Sequence, residues 1–174
     1  MKRTSSRLLT PAQMESLLQE VYERDGGCRG KVWPLHRCGG FRHGSMYEAH
    51  HLVEQAALKV AYGKLGGLWW APGHHGPEDP GFFRPRTRHD FGEPDITASE
   101  IATDPDLSIC LCCNLHTRWP NLTPEEKLEI VGDHLPVVTA AANRYSLEDR
   151  LLEGLNGVAW QTIYEVQKGY TWKE

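Results

Sequence analysis

The placement of cysteine constrains this chain more than any other feature. Five cysteines fall in two groups far apart in sequence, Cys28 and Cys38, then Cys110, Cys112 and Cys113. In a reducing compartment such clusters point to a metal ion rather than to disulfides. Cys110 and Cys113 stand at C-x2-C spacing, at which two thiolates can turn onto one tetrahedral ion. Cys28 and Cys38 are the second pair available, and their C-x9-C spacing makes a loop rather than a tight knuckle. Gly27 and Gly39-Gly40 beside them suit the bends that such a site needs. The expectation is one structural zinc on Cys28, Cys38, Cys110 and Cys113, with Cys112 left over. A set of ordinary buried thiols is the alternative. No βαβ context supports a thioredoxin-like redox role.

With 174 residues, the chain can carry its own hydrophobic core, so a metal would supplement that core rather than replace it. No run of about 18 apolar residues predicts a transmembrane helix. The start, "MKRTSSRLLTPAQMESLLQ", lacks the apolar stretch of a signal peptide. A cytoplasmic location, in a bacterial cell or a phage-infected host, is the expectation. The formal net charge of −4 argues against a generic nucleic-acid binder. Its distribution is uneven: residues 24–43 carry Arg24, Arg29, Lys31, Arg37 and Arg42 against Asp25 alone. Such a patch is what a polyanion would meet, unless it is a solvated loop.

Thr10-Pro11 ahead of "AQMESLLQEVYERDGG" reads as a capped helix stopped by Gly26-Gly27. "MYEAHHLV" is compatible with a strand, and 54–62 favours helix weakly. From Gly63 to about Pro105, proline and glycine dominate, and the segment reads as an insertion. Trp69, Trp70, Phe82 and Phe83 are expected to pin it down; Arg84, Arg86 and Arg88 are its basic part. Helices are expected after Thr123-Pro124 and from Ser146. The division is a domain over 1–120, holding the 63–105 insertion, and a helical extension over 121–174.

The order "ERDGGC", "CGG", "EAHHLV", "LSICLCCN" resembles the HNH endonuclease family over residues 23–119, the insertion excluded. The resemblance implies an α+β fold with a ββα-metal core, a structural zinc and flanking helices. It implies His51 as the general base that activates water and His50 as a ligand of a divalent cation. Asp106 falls where the family's middle asparagine braces the loop and orients the base. Asn114 matches the last metal ligand, with His116 as its substitute if the register slips. Aspartate at the middle position offers no amide donor, and asparagine is a weak, neutral ligand. Oxygen ligands favour Mg2+ or Mn2+ over zinc at this second site. The implied activity is metal-dependent hydrolysis of phosphodiester bonds in DNA, with Arg37, Arg42 or Arg118 on a flanking phosphate and Arg84, Arg86 and Arg88 as further DNA contacts.

Two structural histidines at a strand edge are the bland reading of His50 and His51. Deaminase and zinc-protease spacings are absent. His74-His75, between glycines, reads as an exposed turn. The rival class is a non-catalytic zinc module binding nucleic acid or protein; a nuclease subunit working inside a larger assembly is a third. Oligomeric state is not legible.

Overall fold

A computed structural model describes residues 8–33, 36–55, 57–58, 66–73, 78–79 and 81–155. It is a mixed helix and sheet protein. Helix α1 spans Pro11–Asp25 and begins as the sequence predicts. The Thr10 side chain accepts the Gln13 N–H while Gln13 reaches back to the Thr10 N–H, a reciprocal cap. Gly26 ends it at φ 67°, a conformation that glycine adopts without strain.

Strand β1 (Tyr47–His51) pairs antiparallel with β5 (Ser108–Cys112), bringing Tyr47 opposite Cys112 and His51 opposite Ser108. Helix α3 (Cys113–Arg118) follows β5 directly. Side chains alternate along β1. Tyr47 therefore meets Tyr22 of α1 (ring centroids 5.0 Å apart), and His50 meets His116 of α3 on the other face. The segment between the paired strands holds a second sheet in the order β3-β2-β4, formed by Phe82–Arg84, Gly67–Ala71 and Ile96–Thr97. It ends in a short helix, α2 (Ala98–Ala102). The expected insertion therefore contains regular structure. Phe83 docks it on Tyr145 (6.0 Å between rings), whereas Trp70 and Phe82 face outward. Of the expected helix over 54–62, the Leu58 N–H donates to the Glu54 carbonyl; residue 56 and residues 59–65 lie outside the described residues, as do His74 and His75.

Helices α4 (Pro124–Val131), α5 (Leu135–Arg144) and α6 (Glu148–Gly154) pack into the same apolar cluster as the β1–β5 pair, a core running from Leu8 to Leu155. Thr123 caps α4 as expected; Leu147, not Ser146, precedes α6. No helix among the described residues is long and apolar enough to cross a membrane.

The expected basic patch is largely consumed at the end of α1. The Asp25 carboxylate has a fully buried side chain and accepts from Arg24, from Arg29 and from the Cys110 N–H of β5. Arg24 continues to the Pro105 and Ser108 carbonyls, and Lys31 donates to the Asp25 and Gly26 carbonyls. Burial alone would raise the Asp25 pKa, but Arg24, the Cys110 N–H and Arg29 outweigh it and leave it lowered. Asp25→Asn is expected to destabilise the fold by about 3 kcal/mol at pH 7, because two arginines lose the charge that offsets their burial. A depressed carboxylate stabilises above its unfolded pKa of about 3.9 and loses that contribution as pH falls through the folded value. Urea titrations of both proteins check this: their gap is wide at neutral pH and closes below about pH 4.

Candidate metal centre and cleft

Cys28, His36, Cys38 and Cys112 converge: one ligand atom from each lies within 4.8 Å of all the others. His36 Nε2 stands 3.4 Å from Cys112 Sγ, 3.6 Å from Cys38 Sγ and 3.9 Å from Cys28 Sγ. A zinc ion with ordinary Zn–S and Zn–N bonds sets tetrahedral S···N edges of about 3.6 Å. The donor set therefore fits a metal such as zinc. Two sulfurs sit at the starts of helical turns. Cys28 Sγ accepts the Gly30 N–H (3.3 Å) and Cys112 Sγ the Leu115 N–H (3.5 Å). Such donors favour a thiolate. Without a cation, burial pushes Cys28 up to about 12.

This changes half of the expected ligand set. Cys110 and Cys113 are not in the cluster. The C-x2-C pair straddles the end of β5, whose residues 110–112 are extended, so no tight turn folds one cysteine onto the other. Cys110 is buried near Asp25, and burial first, then that carboxylate, pushes its thiol up to about 12. Cys113 Sγ donates to the Ser45 carbonyl (3.4 Å). Cys112, at the corner from strand to helix, takes the place of one, and His36 that of the other. His36 was legible as a ligand-type residue between Cys28 and Cys38, but a count of cysteines alone passes over it.

Asn114 and His116, the two residues expected at the last cation ligand, lie in different surroundings. Asn114 is exposed and its side chain packs on the Gly39-Gly40 turn, where a Cβ on Gly40 would lie 2.7 Å from Asn114 Oδ1. Its N–H donates to the Gly39 carbonyl (3.0 Å), so it secures the cysteine loop. His116 occupies the face of α3 toward β1. Its ring lies 4.9 Å from that of His50, which also packs on Trp119 (4.5 Å).

A cleft of about 1140 Å³ beside β1 has Glu48, His50, His51, His116 and Met14 of α1 in its wall. His51 Nε2 lies 2.9 Å from the Ala102 carbonyl. A carbonyl only accepts, so Nε2 carries the proton and Nδ1 keeps its lone pair. Burial holds His51 below its ordinary pKa, and the same cause, with His116, His51 and Lys127 adding to it, holds His50 well below. Both rings are neutral at pH 7. Glu48 Oε2 is 2.9 Å from His116 Nδ1, yet the two make no hydrogen bond and each is buried without one. Burial lowers the His116 pKa, Glu48 opposing and Arg42 assisting. Among the described residues, only the Cys/His group brings three ligand atoms within 4.8 Å of one another, so Glu48, His50 and His116 do not close to that distance.

Asp106 is not in the cleft wall. Its carbonyl accepts from His134 Nε2 (2.8 Å), and its carboxylate stands 3.6 Å from Arg144. Of the arginines expected on DNA, Arg42 alone lines the cleft. Arg84 is held by Asp90 through two hydrogen bonds of 2.6 and 2.8 Å. Arg37, Arg86, Arg88 and Arg118 are exposed elsewhere. No protein-family model, curated protein or solved structure matches the chain.

Proposed function

We propose that the chain is a metal-dependent endonuclease that hydrolyses phosphodiester bonds in DNA. The observation carrying this reading is the split of the two adjacent histidines. One neutral ring, His51, is fixed by a backbone carbonyl with a lone pair left over. The other, His50, turns to the opposite face beside His116. A strand places neighbouring side chains on opposite faces, which leaves one ring available as a base while the other faces His116, both in the wall of one cleft.

In this reading His51 Nδ1 takes the proton from water as it attacks phosphorus. His116, with His50 beside it, holds a divalent cation in the position that the resemblance gives to Asn114. That cation, when bound, neutralises charge on the phosphate and on the leaving oxygen. Arg42, on the cleft wall, meets a flanking phosphate. The Cys28–His36–Cys38–Cys112 centre is structural: it ties the loop before β1 to the corner where α3 begins, and so fixes His50 and His116 relative to each other.

Supercoiled plasmid tests the reading directly. Zinc-loaded protein is expected to yield nicked or linear DNA on addition of Mg2+ or Mn2+ and none when neither is added. Folded, zinc-loaded protein that leaves the plasmid intact with either ion would replace the enzyme by a zinc-stapled binding module, or by a subunit needing a partner assembly.

A further inference from the structure

We infer that Glu48 is a direct ligand of the divalent cation, forming with His116 a two-residue cation site in the wall of the cleft. The inference rests on the endonuclease reading for its role in catalysis, and on separate geometry for the site itself.

Glu48 and His50 are two apart on β1 and share a face, and α3 lays His116 over that face. Glu48 Oε2 and His116 Nδ1 approach to 2.9 Å. That separation is also usual for a hydrogen bond, but the pair does not meet hydrogen-bond geometry, and neither atom has another hydrogen-bond partner. A buried carboxylate oxygen without a hydrogen-bond donor is costly. A cation seated against both atoms would satisfy both. Ligand bonds of about 2.1 Å in an octahedral site set neighbouring ligands about 3.0 Å apart, whereas a tetrahedral zinc site spreads them to about 3.4 Å. The observed pair matches the octahedral spacing.

Two protein ligands are enough for such an ion, because Mg2+ keeps several waters and is commonly held by one or two protein groups together with a phosphate. His50 then need not close on the pair. Its ring stands beside the site, where it can accept a hydrogen bond from a water on the ion or enter the ligand set when a phosphate arrives. Glu48 also supplies the negative charge that Asn114, as a neutral ligand, would not. The two metal centres are thereby sorted by chemistry: thiolates and His36 for a soft-tolerant tetrahedral ion, a carboxylate and one imidazole for a hard octahedral one.

Mn2+ alone is the probe, read by calorimetry and by loss of the free-ion signal in electron paramagnetic resonance, on protein with its zinc in place. Wild type is expected to bind one Mn2+, and Glu48→Gln, similar in size but uncharged, to bind at least 10-fold more weakly. Glu48→Asp keeps the charge but retracts the oxygen, so it should fall between them; it also serves if the glutamine variant loses its zinc or its fold. Asn114→Ala should bind as wild type does. Wild-type affinity in folded Glu48→Gln, or no Mn2+ bound by wild type, overturns the inference. Affinity unchanged in Glu48→Gln with cleavage intact removes Glu48 and leaves the endonuclease. Mn2+ bound through Glu48 without plasmid cleavage keeps the site and removes the endonuclease.

Discussion

Cys112→Ser is expected to release about one equivalent of zinc per chain and to lower the melting temperature by about 10 °C or more, while Cys110→Ser and Cys113→Ser keep the metal. Cys112 Sγ is the sulfur nearest His36 Nε2, and its position is imposed twice, by the end of β5 and by the Leu115 N–H at the start of α3. Serine keeps that cap but is a poor zinc ligand, so the tetrahedral set falls to three. Zinc that binds only the folded chain adds its binding energy to stability, and losing even about 3 kcal/mol of it shifts a chain of this size by roughly 10 °C. The loss has a defined location: the loop over 28–40 loses its tie to the corner between β5 and α3, and His116 loses its register against His50. Cys110 and Cys113 have other partners, the first buried near Asp25 and the second donating to the Ser45 carbonyl, so their replacement costs packing and not metal. Zinc content by mass spectrometry after gel filtration, with a thermal melt of each variant, decides it. Zinc retained by Cys112→Ser and lost by Cys110→Ser would restore the C-x2-C ligand set that spacing alone predicts.

That contrast shows where sequence reasoning reaches its limit. Residue type and period carried the helix starts at Thr10 and Thr123, because a cap is a local interaction between residues three apart. The opposed histidines were legible too, because alternation along a strand needs no knowledge of its partner. The ligand set was not legible. Which of Cys110, Cys112 and Cys113 turns inward depends on where β5 ends, and strand ends are fixed by pairing with β1, a long-range event. Asn114 and His116 part for the same kind of reason: where α3 begins decides which of its side chains faces β1. The arginines of 24–43 misled for a different reason. Arg24 and Arg29 look free beside one aspartate in sequence, but Asp25 is buried under β5 and needs both. The sheet within 63–105 escaped because β2 (Gly-Leu-Trp-Trp-Ala) is short, sits among proline and glycine, and has partners well along the chain.

His51→Gln is expected to reduce plasmid cleavage by about 10³-fold, equivalent to about 4 kcal/mol in the barrier, with zinc content and Mn2+ binding unchanged. Glutamine is chosen because its side-chain N–H2 can replace His51 Nε2 as donor to the Ala102 carbonyl, whereas its amide cannot take a proton from water near neutral pH. The variant therefore separates the two things that a buried histidine can do here. If His51 only braces the C-terminal end of α2, the retained hydrogen bond should preserve activity within a few-fold. If Nδ1 is the base, the cavity, the cation and the fold remain and only the proton acceptor is missing. His50 provides the internal contrast: its ring packs between His116 and Trp119 and makes no bond to Ala102. His50→Gln should then disturb cation binding or phosphate placement rather than proton transfer. Single-turnover cleavage at saturating Mn2+ distinguishes them, since excess ion can compensate for a weakened cation site but not for a missing base. Cleavage by His51→Gln at the wild-type rate would return His51 to a structural role.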